Sequence, residues 1–312
     1  MKILLTSTSF QDTPGTHQDL LNAQNWDIDY LRGPVNERAL LPIIHKYDGV
    51  ICGDDEYTRE VIKAGKEGRL RALSKYGVGL DRIDLSAAEE FEIKVTNVPG
   101  VNQVSVAEHV LALLFTFQKN VHLQYNSVQN SSWERLTGSE IQDSSIGIIG
   151  LGSVGKELAK KSLALGMKVF GFDLFKDEIF LKENKEVVFT ENINVLYENC
   201  DVLSLHIPHN ANTDKFIDKD VLFSRLKRKP IIINTSRGKL VDTDYLIRAL
   251  EEGRVKGYLA DVLAEEPISI GEKLVGKKNV IITPHVGSRT FQSVERQGTK
   301  AILNLLEATE LK

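Results

Sequence analysis

Short apolar runs recur along this chain and alternate with stretches of helical period. Residues 2–5, 26–31, 48–52, 71–75 and 93–97 are strand candidates, and helical segments such as 37–47 and 58–67 separate most of them. This alternation predicts a small parallel α/β sheet. Pro99 and Gly100 then interrupt regular structure, and the segment 97–102 is the expected domain boundary. A long helix is predicted from near Gln103, with Ala107, Leu111, Leu114 and Phe115 at helical spacing; Glu108 and His109 inside it read as a satisfied structural pair. Residues 124–142 are polar and turn-rich, with Trp133 as their only large anchor, and are expected to form a loop. A second series follows at 146–149, 167–172, 187–189, 202–208, 231–235, 257–260 and 280–283, with helices expected at 156–165, 192–199 and 243–252. These runs are apolar on both faces, as strands of a covered parallel sheet are.

The first strand of the second series breaks into Gly150-Leu151-Gly152-Ser153-Val154-Gly155, a helix follows, and the next strand delivers Asp173. Each residue type suits a dinucleotide site. Gly150 permits the tight turn, Gly152 lets backbone N–H groups approach a pyrophosphate, and Gly155 lets helix and strand pack closely. The helix N-terminus favours negative charge, and Asp173 stands where a carboxylate accepts hydrogen bonds from a ribose diol. A 2′-phosphate there would meet like charge, so NAD is expected over NADP.

Composition narrows the class. A length of 312 residues suits two domains of ordinary size. A net charge of −4 without a basic cluster argues against nucleic acid as the main partner. Cys52 and Cys200 stand in apolar contexts with neither metal-ligand nor disulfide spacing, and no metal is expected. The amino terminus is polar again by Thr6 and reads as a strand rather than a signal peptide; no apolar run is long enough to span a membrane. A cytoplasmic protein is expected.

Ligands of parallel sheets bind beyond the carboxyl ends of strands, which directs attention to Asp173, His206, Thr235-Ser236-Arg237, Asp261 and His285. Arg237 is either a surface arginine after a turn or a bidentate donor for a 2-keto acid, gripping carboxylate and carbonyl together. His285 has the side chain best suited to exchange a proton near neutrality, and Glu266 is a nearby carboxylate able to orient it. His206 is the competing histidine, placed where a loop would cover the cofactor. The strand at 71–75 runs into Gly77-Val78-Gly79, either a chain reversal or a ligand-holding turn.

Taken together, the stretches KYGVGLDRIDLSAAEEFEIKVTNVPGVNQVSVAEH (75–109), GIIGLGSVGKELA (147–159), LHIPHNANT (205–213), IIINTSRGKLVDTDYLIRALEEGRVKGYLADVLAEEP (231–267) and TPHVGS (283–288) resemble the D-isomer-specific 2-hydroxyacid dehydrogenase family. The resemblance spans nearly the whole chain. It implies an α/β fold of two doubly wound parallel-sheet domains around a cleft, with a Rossmann-type NAD domain over 100–285 and a flavodoxin-like substrate-binding domain formed by 1–99 and 286–312. It also implies an NAD-dependent enzyme moving hydride between nicotinamide and a small D-2-hydroxy acid or its 2-keto acid, of the 3-phosphoglycerate, glycerate/hydroxypyruvate, glyoxylate or lactate type.

Carried over by residue, His285 resembles the acid/base, Glu266 its carboxylate partner, and Arg237 the substrate-binding and carbonyl-polarising residue. Val78 and Gly79 resemble the turn that holds the substrate carboxylate, and Asn102 a polar residue of the cleft. Gly150, Gly152, Ser153, Val154 and Gly155 match the pyrophosphate turn, Asp173 the ribose acid, and Thr235 and Asp261 the nicotinamide side. His206, Pro208, Thr213, Ser236, Gly287 and Ser288 complete the expected cofactor set. The long helix after Asn102 and the Trp133 segment resemble the family's dimer-forming arm, so a homodimer is expected. Asp54, Asp55 and Glu56 occupy a loop that carries arginine in some relatives using phosphorylated substrates; here they argue against a phosphate there, although Lys75 and Arg59 are nearby cations. The sequence ends one helix after His285, and no carboxyl-terminal regulatory domain is expected. The alternative from another class is an NAD-sensing co-repressor-like binding protein without turnover; the absence of long flanks speaks against it.

Overall fold

The computed structural model describes residues 1–310 and divides into two compact units, Met1–Asn102 with the carboxyl-terminal segment from Arg289, and Gln103–Ser288. The chain therefore changes units just after Pro99-Gly100 and again three residues after His285.

The first unit is built on β1 (Lys2–Leu5), β2 (Asp27–Tyr30), β3 (Gly49–Cys52), β4 (Ala72–Lys75) and β5 (Lys94–Thr96), all parallel in the order β2-β1-β3-β4-β5. This is the flavodoxin-like order. Strand alternation divides the core in two: Leu4, Val50 and Leu73 pack on one face, Ile3, Leu5, Ile51 and Ala72 on the other. The second face is covered by the final helix Phe291–Glu310 through Val294, Ala301, Ile302 and Leu305. Ser74 fastens that helix by donating to the Ala301 carbonyl at 2.7 Å.

The second unit holds β6 (Ser145–Ile149), β7 (Lys168–Phe172), β8 (Val188–Thr190), β9 (Val202–Leu205), β10 (Ile231–Asn234), β11 (Gly257–Ala260) and β12 (Val280–Ile282). Their order, β12-β11-β10-β9-β6-β7-β8, is a fully parallel Rossmann sheet whose direction of winding reverses between β6 and β9. The helix Gln103–Gln118 covers one face with Ala107, Val110, Leu111 and Leu114.

Three local expectations are corrected. The helix expected over 37–47 stops at Leu40, because Pro42 has no N–H to continue the ladder; a 3-10 turn covers Ile44–Lys46. The segment 124–142 is not all loop, since Val121–Gln129 is a helix. Finally, Glu108 and His109 do not serve one another: Glu108 accepts from Lys161 at 3.1 Å, and His109 turns to Thr283. No helix of the described residues is long and apolar enough to cross a membrane.

Candidate active site

All the strands of the second sheet are parallel, so their carboxyl ends share one edge, and the expected residues of this unit follow those ends. Beyond β6, Gly150 adopts φ +99°, a left-handed conformation that side chains disfavour, and its N–H donates to Phe172 O at 2.8 Å. A Cβ on Gly150 would press on the His206 carbonyl, and one on Gly155 would run into the Gly150 carbonyl. The turn is therefore closed by glycine at both ends. The helix Ser153–Ala164 begins without any side-chain cap. Its first N–H groups have no acceptor within the helix, as at any helix start, so they offer an anion site. Asp173, just past β7, accepts from Leu151 N at 2.6 Å and from Phe175 N at 3.1 Å, which fixes the carboxylate against the turn.

Past β9, His206 turns inward. Its Nε2 lies 2.8 Å from Ser204 Oγ, and desolvation of the ring pushes its pKa down to about 4, although the residue keeps some exposed surface. The loop after it is self-bracing: Thr213 Oγ1 donates to Pro208 O at 2.7 Å and accepts from Asn210 N at 2.8 Å. Past β10, Ser236 Oγ donates to Leu205 O at 2.8 Å, and Asn234 Nδ2 donates to Arg237 O at 2.9 Å, so the backbone that presents Arg237 is held on both sides. Arg237 itself is half-buried and donates to Ser236 O at 2.8 Å.

Glu266 and His285 lie beyond the last two strands. His285 Nδ1 stands 2.7 Å from Glu266 Oε2, while the other oxygen of Glu266 accepts from Leu263 N at 2.8 Å. Nδ1 thus carries the proton given to Glu266, leaving Nε2 as the ring atom that exchanges protons with anything bound. His285 itself is at φ +54°. Asp261, 2% exposed, accepts from Val286 N at 2.9 Å and Gly287 N at 2.7 Å. Burial alone would raise its pKa, but hydrogen bonds from His109, Thr283 and those two amides overcome it and hold the carboxyl below its ordinary value.

A cofactor fits these residues on one further observation: the Thr235 hydroxyl is buried and has no hydrogen-bond partner among the described residues. In the first unit, Val78 and Gly79 follow β4, Val78 is exposed, and Asn97 Nδ2 donates to the Val78 carbonyl at 2.8 Å. Asn102 is half-buried at that unit's end.

The family model described as D-isomer specific 2-hydroxyacid dehydrogenase, NAD binding domain, matches residues 111–287. The chain belongs to this family. Within the family it is 33% identical over 268 residues to hydroxypyruvate reductase of Thermotoga maritima, covering 84% of this chain and 85% of that one. It is 31% identical over 301 residues to D-3-phosphoglycerate dehydrogenase of Methanocaldococcus jannaschii, covering 96% of this chain but only 56% of that longer enzyme. A crystal structure of the TT0316 protein from Thermus thermophilus superposes with a TM-score of 0.87 at 32% identity, over 99% of this chain and 97% of that one. The second unit is thus a dehydrogenase NAD-binding domain, NAD is its cofactor, and the protein is an NAD-dependent oxidoreductase of 2-hydroxy acids. Sequence reasoning missed Ser204, Thr283 and the destination of His109. Ser204 meets His206 only two residues on but from within a buried strand, whereas His109 and Thr283 meet across 174 residues, and no local pattern marks either pair.

Proposed function

We propose that this dehydrogenase interconverts a small, unphosphorylated D-2-hydroxy acid and its 2-keto acid, with His285 as acid/base. The observation that carries the reading is the 2.7 Å contact of His285 with Glu266 on the sheet edge that also bears the glycine turn. When bound, NAD accepts or supplies the hydride. Gly150, Gly152, Ser153, Val154 and Gly155 would receive its pyrophosphate, Asp173 its adenosine ribose, and Thr235 the nicotinamide side, with His206, Pro208, Thr213, Ser236, Asp261, Gly287 and Ser288 framing it. In the reducing direction, His285 gives its Nε2 proton to the carbonyl oxygen, and in oxidation it takes that proton back. Glu266 keeps the ring oriented throughout. Arg237 binds the substrate carboxylate and polarises the carbonyl.

The preference for an unphosphorylated substrate rests on Lys75. Its ammonium, which would favour a phosphate, is committed to Gly53 O and Asp54 Oδ1, both at 2.6 Å. Glyoxylate, hydroxypyruvate and pyruvate therefore precede 3-phosphohydroxypyruvate as candidates. The protein also reads as a cytoplasmic homodimer: the two cysteines are free and buried, with thiol pKa values pushed up to about 12 by burial, which suits a reducing compartment. Around the Val121–Gln129 helix, Tyr125, Val128 and Trp133 expose apolar surface.

His285→Ala tests the assignment. Turnover should fall by about 100-fold or more while the NADH dissociation constant, read by fluorescence titration, stays within about twofold. A variant that keeps full turnover removes His285 from the role.

A further inference from the structure

The residue at the heart of the site, His285, sits on a backbone that does not hold itself. Its φ of +54° is uncommon for any side chain larger than glycine and carries a cost that the surroundings must offset. What offsets it is Asp261. The Asp261 carbonyl accepts from His285 N at 2.9 Å, one carboxylate oxygen accepts from Val286 N at 2.9 Å, and the other accepts from Gly287 N at 2.7 Å. One residue therefore grips three consecutive amides.

The grip is itself oriented from below. Thr283 Oγ1 lies 2.5 Å from Asp261 Oδ1, and His109 Nε2 lies 2.8 Å from Thr283 Oγ1 and 3.3 Å from Asp261 Oδ1. A carboxylate only accepts, so the single Thr283 proton goes to Asp261 and its oxygen must accept from the imidazole. His109 is thus the donor, with its proton on Nε2, and the chain runs His109 to Thr283 to Asp261 to the amides of residues 286 and 287. Space is as constrained as direction: a Cβ on Gly287 would stand 2.9 Å from Asp261 Oδ2 and 3.4 Å from His109 Cδ2.

We propose that His109 is a positioning residue of this enzyme, acting through Thr283 and Asp261 to hold the His285 turn in its strained, productive form. The proposal rests on His285 being the acid/base. It assigns to His109, on the Gln103–Gln118 helix, a duty that ties that helix to the chemistry rather than to packing alone.

Without the donor, Thr283 is free to rotate toward the Ala260 carbonyl, 3.5 Å away, and Asp261 loses the bond that fixes its oxygen. The turn then samples relaxed conformers in which Nε2 of His285 is misplaced. A misplaced acid/base lowers kcat more than it alters ground-state binding.

The test compares His109→Phe, His109→Gln and Thr283→Val with the unaltered enzyme. Glutamine keeps a donor near the Nε2 position, whereas phenylalanine keeps only bulk. In His109→Phe and Thr283→Val, kcat for the best 2-keto acid should fall by about tenfold or more, with KM and the NADH dissociation constant within about threefold. His109→Gln should recover most of the loss. In the cofactor-free protein, amide exchange at Val286 and Gly287 should quicken in the two donor-lacking variants and not in His109→Gln, with little change at strand Ile231–Asn234. Unchanged exchange and unchanged kcat in both donor-lacking variants would overturn the proposal. So would an equal loss in His109→Gln at unchanged thermal stability. Should the unaltered protein turn over no 2-keto acid at all, the acid/base reading fails, while the exchange measurement still decides whether His109 holds the turn.

Discussion

At the scale of single residues, the site is a set of side chains whose freedom has been removed. His206 is the clearest case with a consequence for stability. Desolvation pushes its pKa down to about 4, whereas an unfolded histidine titrates near 6.5, so on acidification the unfolded chain takes up the proton first. Its contribution is neutral above the unfolded value, and stability is lost progressively as the pH falls from about 6.5 toward 4, by about 3 kcal/mol at most. Across this window the melting temperature of the unaltered protein should fall relative to that of His206→Asn, which has no group to titrate. Curves that stay parallel would show that His206 is not held neutral. The sequence pattern pointed to Arg237 and His285 because each stands three residues past the end of an apolar strand, and to Glu266 as a carboxylate in the loop before the last strand. It did not point to His109, because Thr283, which receives its proton, lies 174 residues further along the chain.

At the scale of elements, strands were the easiest to read. Those of the second sheet are buried on both faces and so appear as unbroken apolar runs, as at Ile231–Asn234. The helix Val121–Gln129 could not be read that way: only Ser127 is buried along it, so it lacks the apolar stripe that marks a helix in sequence. The glycine turn separates folding from binding, and two substitutions exploit this. Gly152 has open space where a Cβ would point, so Gly152→Ala should melt within about 2 °C of the parent yet bind NADH at least about tenfold more weakly, because the methyl occupies the approach to the turn. Gly155→Ala drives a Cβ into the Gly150 carbonyl and should lower the melting temperature by about 5 °C or more as well as weaken binding. Thermal melts beside NADH titrations check both; a Gly152→Ala protein with unaltered affinity would place the pyrophosphate elsewhere.

At the scale of the whole molecule, two parallel sheets of different winding order are assembled from a chain that leaves the first unit after Asn102 and returns to it at Arg289. The first crossing follows Pro99-Gly100, and the second, between Ser288 and Arg289, follows the turn that holds Pro284 and Gly287. A homodimer should sediment at twice the 34.9 kDa chain mass, and Trp133→Glu, which places charge on a side chain 80% exposed in the single chain, should shift the equilibrium toward monomer without unfolding it. A monomeric parent protein, measured by analytical ultracentrifugation, would remove the dimer.

In the proposed function, one sheet edge joins an NAD site to a His285–Glu266 acid/base pair acting on a small 2-keto acid. The most direct measurement is NADH oxidation by the purified protein with glyoxylate, hydroxypyruvate, pyruvate and 3-phosphohydroxypyruvate, run in parallel with His285→Ala. We expect turnover with at least one of the three unphosphorylated acids, a lower kcat/KM for the phosphorylated one, and loss of activity in the variant. Tight NADH binding with no turnover of any of the four would rule out the proposed reaction.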